Sequence, residues 1–240
     1  MNKVLVLSDN SYLSFEFKKI VDKLSIVDYL FDYAISPFSN SKDFHVCVDV
    51  YDLKKDEDVK NIISNYILVF SIHCKQIFPI ELVKSIKCIN IHPGYNPINR
   101  GWYPQIFSII HNLPIGATIH EIDEELDHGP IIARELVDKY DYDTSESLYN
   151  KILDTEIQLL EKYLMIILQN QYSVIKPENK GNLFLKKDFN DLLEINLDDN
   201  YRAGDLINKL RALTHGDYQN AYFFEKTTGE KIYVGINFKK

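Results

Sequence analysis

The sequence predicts an α/β fold, a mostly parallel sheet with helices on both faces, followed by a small C-terminal helix and β-hairpin segment. Three observations predict it. Short apolar runs alternate with stretches of helical periodicity through the first part of the chain, the pattern of strand-helix-strand units. One run, Tyr66 to His73, is apolar almost without interruption, as strands covered on both faces are. The first ninety-three residues contain no glycine, so neither G-x-G-x-x-G nor a Walker loop precedes residue 94. The architecture is therefore Rossmann-like without the dinucleotide site that often accompanies it.

The elements follow in order. Lys3 to Ser8 is the first strand, and Leu13, Phe17, Ile20, Val21 and Leu24 come next at helical spacing. A second apolar segment spans 27–36 before Pro37 and a polar loop, Phe44 to Val50 alternates as a strand, and Asp56 to Ser64 suggests a helix. After the buried run, Phe78-Pro79 opens a helix whose apolar face is Leu82, Val83 and Ile86, proline being tolerated where the N–H has no intrahelical partner. Lys87 to His92 is the next strand. Beyond it lie a helix over Tyr103 to Asn112 and strands at Gly116 to Ile122 and Pro130 to Val137, which enclose the acidic loop Asp123 to His128. Asp143 with Glu146 resembles a capping box, and Leu148, Ile152, Leu159, Tyr163 and Ile166 form one stripe of a long helix to about Asn170. That helix closes a first domain, residues 1–170. Residues 171–240 make a small C-terminal segment of strand-like pieces over 172–200, a helix at Tyr201 to Leu213, and two strands between Asn220 and Phe238 joined near Thr228-Gly229. A two-stranded ribbon is marginal alone, so it is expected to pack on the main domain, on a ligand or on another subunit.

Composition bounds the class. The 240 residues are 45% hydrophobic and 26% charged with no apolar run of membrane-spanning length, and Val4 to Leu7 is too short for a secretory leader. A cytoplasmic globular protein without a membrane partner is expected. Cys47, Cys74 and Cys88 lack metal-ligand spacing and sit in apolar contexts, so they are read as reduced core residues. The histidines show no H-E-x-x-H, and no metal is expected. A formal net charge of −8 argues against a nucleic-acid surface, because phosphate backbones are bound through clustered Lys and Arg.

Special backbone geometry is gathered in one window. Four of the nine glycines and five of the eight prolines lie between Pro93 and Pro130, and four of the seven histidines between His92 and His128. Asn90 and His92 alternate on one strand and so point to the same face, at the carboxyl end where open parallel sheets bind ligands. A neutral imidazole takes a proton from an attacking amine, an amide donates to a developing oxyanion, and a carboxylate orients the imidazole. With Asp127, these groups suit acyl transfer to nitrogen. No Ser or Cys occupies a nucleophile elbow, which favours direct transfer over a covalent intermediate. Singly, the same residues read as a structural histidine, a turn-forming asparagine and a solvated loop acid, and His111, His120 and His128 as surface residues.

Asn90-Ile91-His92-Pro93-Gly94, Arg100-Gly101, Gly116-Ala117-Thr118-Ile119-His120 and Asp123-Glu124-Glu125-Leu126-Asp127-His128-Gly129-Pro130-Ile131-Ile132 resemble the signature of the folate-dependent formyltransferases, over about residues 66–135. The resemblance implies that Asn90, His92 and Asp127 are catalytic and that 10-formyltetrahydrofolate is the co-substrate. It places the pteridine against Lys75, Gln76, Ile77 and Phe78 and the loop of Asp123, Leu126 and Asp127, largely through backbone. Glycinamide ribonucleotide transformylases hold a phosphate on a glycine-containing turn where this chain has Ser8-Asp9-Asn10-Ser11, and methionyl-tRNA formyltransferases carry a larger RNA-binding domain at odds with the acidic balance here. Ser71 to Pro79 and Leu210 to Tyr218 are similar to the nucleotide-linked amino-sugar N-formyltransferases, above all the small members acting on dTDP-4-amino-4,6-dideoxy sugars. This implies a homodimer that formylates such an acceptor, dTDP-4-amino-4,6-dideoxyglucose first, for a surface polysaccharide such as O-antigen. The expected acceptor residues are Asn10 at the turn after the first strand, Trp102 and Tyr103 as the pair that walls the sugar, Lys209 and Arg211 facing the pyrophosphate, and Asn220, Tyr222 or Phe223 at the base. Formyl transfer to another amine, hydrolysis of formyltetrahydrofolate, and a non-catalytic sugar-nucleotide binding module are the alternatives.

Overall fold

A computed structural model describes residues 2–45 and 47–239. β1 (Asn2–Ser8) leads into α1 (Ser11–Lys23), capped by Asn10, whose side chain accepts from the Leu13 N–H. β2 (Tyr29–Ile35), β3 (Asp49–Val50), α2 (Asp56–Asn65), β4 (Leu68–Ile72), α3 (Ile80–Ser85) and β5 (Lys87–His92) complete the parallel part. β6 (Arg100–Gly101), α4 (Pro104–Ile110), β7 (Gly116–Glu121), β8 (Ile131–Leu136) and α5 (Ser145–Leu168) follow. The chain ends with β9 (Leu183–Phe184), α6 (Lys186–Asn190), α7 (Ala203–Leu213) and a hairpin of β10 (Tyr222–Phe224) and β11 (Lys231–Tyr233).

Seven strands form one sheet in the order β3-β2-β1-β4-β5-β7-β8. The first five are parallel, and β7 and β8 add an antiparallel edge. Period-two alternation sorts the side chains into two layers. Val4, Val6, Phe70, Ile72, Ile89 and Ile91 share a buried cluster with Phe17 of α1 and Ile152 and Leu160 of α5. Leu5, Leu7, Val69 and Cys88 join Val59 and Ile62 of α2 and Leu82 of α3 on the other side. Asn90 and His92 fall on this second side by the same alternation, and the antiparallel register places His120 opposite Asn90 and Thr118 opposite His92. The second side thus changes from apolar to polar where it passes from β4 to β5 and β7.

The mostly parallel sheet with its C-terminal hairpin matches the fold predicted. Three local expectations are corrected. The strand predicted over Phe44 to Val50 shortens to Asp49–Val50, because this edge position meets β2 at only two register pairs, Ala34 with Asp49 and Ile35 with Val50; Val46 lies outside the described residues. Cys88 is buried and Cys74 partly so, but Cys47 is exposed, since no strand carries it into the core. The capping box of α5 uses Thr144 and Ser147 in place of Asp143 and Glu146. Asp143 instead accepts from the Tyr140 N–H, Ser147 Oγ and Lys151 Nζ.

Residues 171–240 build no separate interior. Phe189, Ile195, Ala212, Leu213 and Ala221 join the cluster between the sheet and α5, and the Phe184 ring stacks on Phe107 at 4.2 Å. Among the described residues no helix is long and apolar enough to cross a membrane.

Candidate active site

Three loops converge on the polar patch of β5 and β7. Asn90 Nδ2 donates to Asp127 Oδ1 at 3.0 Å and lies 3.2 Å from His120 Nε2. His92 Nε2 is 2.7 Å from the Asn99 carbonyl, which can only accept, so the hydrogen of the neutral ring sits on Nε2. The bare Nδ1 then faces Asp127 Oδ2 at 3.6 Å. His120 is fixed in the other sense, its Nδ1 donating to the Glu121 carbonyl at 2.7 Å and its Nε2 lone pair facing Asn90. Asp127, at φ 46°, reaches into this group from the loop between β7 and β8. Its Oδ2 accepts from the Gly101 N–H at 3.0 Å, and its carbonyl accepts from Asn96 Nδ2 at 2.9 Å. Gly94 explains its own identity: a Cβ there would stand 2.5 Å from His92 Nε2 and 2.6 Å from the Asn99 oxygen, in the line of their hydrogen bond.

Burial and charge set the protonation of the pair. His92 is only 4% exposed, and removal from water pushes its pKa below the ordinary histidine value, with the nearby Asp127 charge opposing only in part. The ring is therefore neutral at pH 7. Burial alone would raise Asp127, yet attraction to the His92 and His120 rings when they carry a proton, together with the Gly101 N–H, holds it below the usual carboxylate range. A neutral imidazole with an open Nδ1 beside a permanent carboxylate is an arrangement that accepts a proton and stabilises the cation formed.

The sequence brought Asn90, His92 and Asp127 forward, and the fold brings them together. It adds His120, expected at the surface and in fact 1% exposed. The signal for it was present: Thr118 and His120 alternate with Ala117 and Ile119 in one strand, but the antiparallel register that pairs it with Asn90 is tertiary information.

The residues expected around a pteridine flank this group. Ile77, on the turn after β4, is 83% exposed, and Leu126 on the acidic loop is 39% exposed. Among the described residues the N–H groups of Ile77 and Phe78 have no hydrogen-bond partner. Unpartnered backbone donors beside exposed aliphatic side chains suit a flat heteroaromatic ligand with an acceptor edge, so the residues present fit the folate. The side chains there mainly shape the turns. Gln76 ties its turn to the Leu53 N–H and the Tyr51 carbonyl, the Lys75 N–H donates to Asp9 Oδ2, and Asp123 accepts from His128 Nδ1 and the Glu125 N–H. Among the described residues no cluster of His, Cys, Asp or Glu is arranged to hold a metal ion.

The expected acceptor residues divide. Trp102 and Tyr103 follow Gly101 directly, with their rings 5.6 Å apart and Tyr103 resting 4.3 Å from Phe189. Asn10 lies across the sheet top, donating through Nδ2 to Tyr149 Oη at 3.2 Å. The C-terminal candidates are elsewhere. Arg211 is 3% exposed and donates to the Tyr140 and Asp143 carbonyls and to Asn208 Oδ1. Asn220 donates to the Leu213 carbonyl, Lys209 to the Glu194 carbonyl, and Tyr222 lies in the hairpin with Lys231 Nζ 3.8 Å above its ring. Arg211, expected at a pyrophosphate, commits its Nε and Nη1 donors to groups of the fold in this arrangement.

Residues 49–164 match the formyl transferase family, and residues 188–240 match the N-formyltransferase dimerization C-terminal domain. A dTDP-4-amino-4,6-dideoxyglucose formyltransferase of Mycobacterium tuberculosis is 45% identical over 180 residues, 75% of this chain and 76% of the relative. The fold superposes on a sugar N-formyltransferase of a Shewanella species with a TM-score of 0.96 at 38% identity, covering 100% of this chain and 99% of that one. A 4-N formyltransferase of Francisella tularensis gives 0.92 at 40% identity, covering 100% and 98%.

Proposed function

Because the chain belongs to the formyl transferase family, we propose that it transfers a formyl group from 10-formyltetrahydrofolate to the amine of a nucleotide-linked amino sugar, dTDP-4-amino-4,6-dideoxyglucose being the acceptor of first choice. The observation that carries this reading is the group of buried His92 with half-buried Asn90 and Asp127, His92 being neutral with its Nδ1 open. The folate, when bound, supplies an activated formyl carbon. His92 takes the proton released by the amine at Nδ1, and Asp127 Oδ2 stabilises the resulting imidazolium across 3.6 Å. Asn90 keeps one hydrogen on Asp127 and shares the other with His120 at 3.2 Å. That second hydrogen is the donor available to a carbonyl oxygen gaining charge, a stronger acceptor than an imidazole lone pair. The Gly101 N–H holds Asp127 in place throughout.

Lys75 to Phe78 with Asp123, Leu126 and Asp127 border the folate, and Trp102 and Tyr103 wall the sugar. In this reading residues 1–170 carry the chemistry and 171–240 serve assembly, two copies meeting through a face that includes the exposed Phe224, Ile232 and Tyr233. The acceptor class leads to a formamido sugar for a surface polysaccharide such as O-antigen. Incubating the protein with 10-formyltetrahydrofolate and the dTDP-linked amino sugar, with mass detection of the product, tests the reading. Addition of one formyl group supports it. Formate release without any amine would instead make the protein a hydrolase, and no consumption of folate with any amino sugar would make it a binding module.

A further inference from the structure

A polar chain, half-buried except for the fully buried Glu156, starts one strand away from His92, and the transfer chemistry does not use it. His73 directly follows β4 and has φ 51°, the left-handed region that β-carbon residues rarely occupy. Alternation would aim its ring to the side of Ser71. The left-handed step turns it into the layer between the sheet and α5 instead. There His73 Nε2 lies 2.9 Å from both Glu156 oxygens, and Nδ1 lies 3.0 Å from Tyr149 Oη. Tyr149 Oη in turn accepts from Asn10 Nδ2. Glu156 is fully buried in an otherwise apolar helix face. Packing alone does not call for this, because well-fitted apolar side chains stabilise such a position at least as well as a buried acid-imidazole pair.

We propose that Asn10 and Tyr149 form the acceptor subsite that recognises a sugar hydroxyl beside the reacting amine, with His73 and Glu156 as the positioning residues that orient the Tyr149 hydroxyl. This rests on the reading of the chain as a sugar formyltransferase. With a single ring hydrogen, placed on Nε2 toward the Glu156 oxygens, His73 Nδ1 receives the hydroxyl hydrogen of Tyr149. The tyrosine oxygen then faces outward as an acceptor. One of its lone pairs takes Asn10 Nδ2, and the other is free. Asn10 Oδ1 is held by the Leu13 N–H, which fixes the orientation of the amide, and the second Nδ2 hydrogen has no partner among the described residues. One free acceptor next to one free donor is the complement of a hydroxyl group.

The placement fits the transfer site. β4 and β5 are in register at Ile72 and Ile91, so residues 73 and 92 leave the sheet on neighbouring strands, the His92 ring on the side of Cys88 and the His73 ring on the side of α5. A cleft of about 420 Å³ along the starts of α1 and α5, lined by Asn10, Tyr12, Tyr149, Asn150, Leu153 and Asp154, is within the size range of small-ligand sites. The His215 ring packs 5.6 Å from Tyr149 and 5.8 Å from Tyr218, which is 73% exposed.

The test is steady-state kinetics with dTDP-4-amino-4,6-dideoxyglucose and with its 3-deoxy analogue. Turnover of the first by the wild-type protein checks the functional reading on its own, and its absence removes that reading and the subsite together. Given turnover, Tyr149→Phe keeps the ring and is expected to lower acceptor kcat/KM about tenfold or more through KM, with the folate KM unchanged. The wild-type protein loses a similar factor on the 3-deoxy acceptor, and Tyr149→Phe loses nothing further on it. Glu156→Gln gives an intermediate rise in acceptor KM that does not add to that of Tyr149→Phe. An acceptor KM unchanged in Tyr149→Phe, or an equal loss on both acceptors, overturns the proposal and leaves Tyr149 as a tie between α5 and β4.

Discussion

The polar groups around β5 and those of the C-terminal segment are similar in type and opposite in use. Asn90, His92, His120 and Asp127 bond largely to one another and to loop backbone, and the group is left with a bare imidazole nitrogen and a shared amide hydrogen. Arg211, Asn220 and Lys209 point at carbonyls of their own fold. A charged or amide side chain is therefore no sign of a ligand until its hydrogen-bonding capacity has been accounted for. The first cluster keeps capacity in reserve beside a permanent carboxylate, and the second holds the segment onto the main domain.

The largest effects are expected in the first cluster. His92→Ala or Asp127→Asn is expected to lower kcat by about 10³-fold or more, the range for loss of a general base or its orienting acid, while binding of the nucleotide sugar measured by calorimetry stays near wild type. Retention of most of the rate by both variants would erase the distinction between the clusters. The pH dependence sharpens it. His92 is held neutral and Asp127 ionised, so kcat/KM is expected to fall on the acid side as His92 protonates, at a pH below its ordinary value of about 6.5. Stability moves the same way. Both folded pKa values are depressed, so the unfolded chain binds more protons, and the stability present above the unfolded values is lost as pH falls through the folded ones. A rate that rose on acidification to pH 6 would contradict the neutral ring.

Arg211→Met reverses the kind of effect. It leaves the Tyr140 and Asp143 carbonyls without their donor inside the protein, at a cost of about 3 kcal/mol in unfolding free energy, read by denaturant titration. Acceptor KM is expected to stay unchanged in the folded fraction. A stable protein with a raised acceptor KM would return Arg211 to the pyrophosphate.

What the sequence made legible, and what it did not, follows the same line between local and tertiary information. The alternation of β5 put Asn90 and His92 on one face, and the run of apolar strands placed them at the end of a parallel sheet. Asp127 was reached through its loop motif. His120 was missed because its partner is set by an antiparallel register across β5 and β7, and His73 because a left-handed step after β4 reverses the direction that alternation gives it. The bonds of Arg211 were not legible for a related reason: helix periodicity identified α7 but not which carbonyls lie against it. The strand at Phe44 to Val50 failed because an edge position with one neighbour gives alternation little to act on.

Gly94→Ala is a smaller change in the first cluster. A methyl group there meets His92 Nε2 and the Asn99 oxygen, so the ring must shift and its Nε2 hydrogen bond must lengthen. Loss of roughly tenfold to a hundredfold in kcat is expected from such a displacement of a reacting group, with a lowered unfolding midpoint because the Asn99 oxygen belongs to buried backbone. Normal turnover would mean that the His92 to Asn99 bond does not set the ring's catalytic orientation.

The smallest expected effect gives the comparison its most direct test on the C-terminal side. Lys209 Nζ lies 2.6 Å from the Glu194 carbonyl and over the Tyr201 ring at 5.9 Å. Its pKa is lowered by burial against the pull of Asp199 and Glu194. Unlike Arg211, it is partly exposed, and water can replace it at the carbonyl. Lys209→Met keeps the aliphatic stem on Tyr201 and removes only the charge, so the change in stability is expected to stay within about 1 kcal/mol. Acceptor KM is expected to match wild type at low and high salt. A tenfold rise that disappears as salt is added would mean that this lysine leaves Glu194 for the pyrophosphate when the acceptor binds, and the C-terminal segment would then belong to the site as well as to the scaffold.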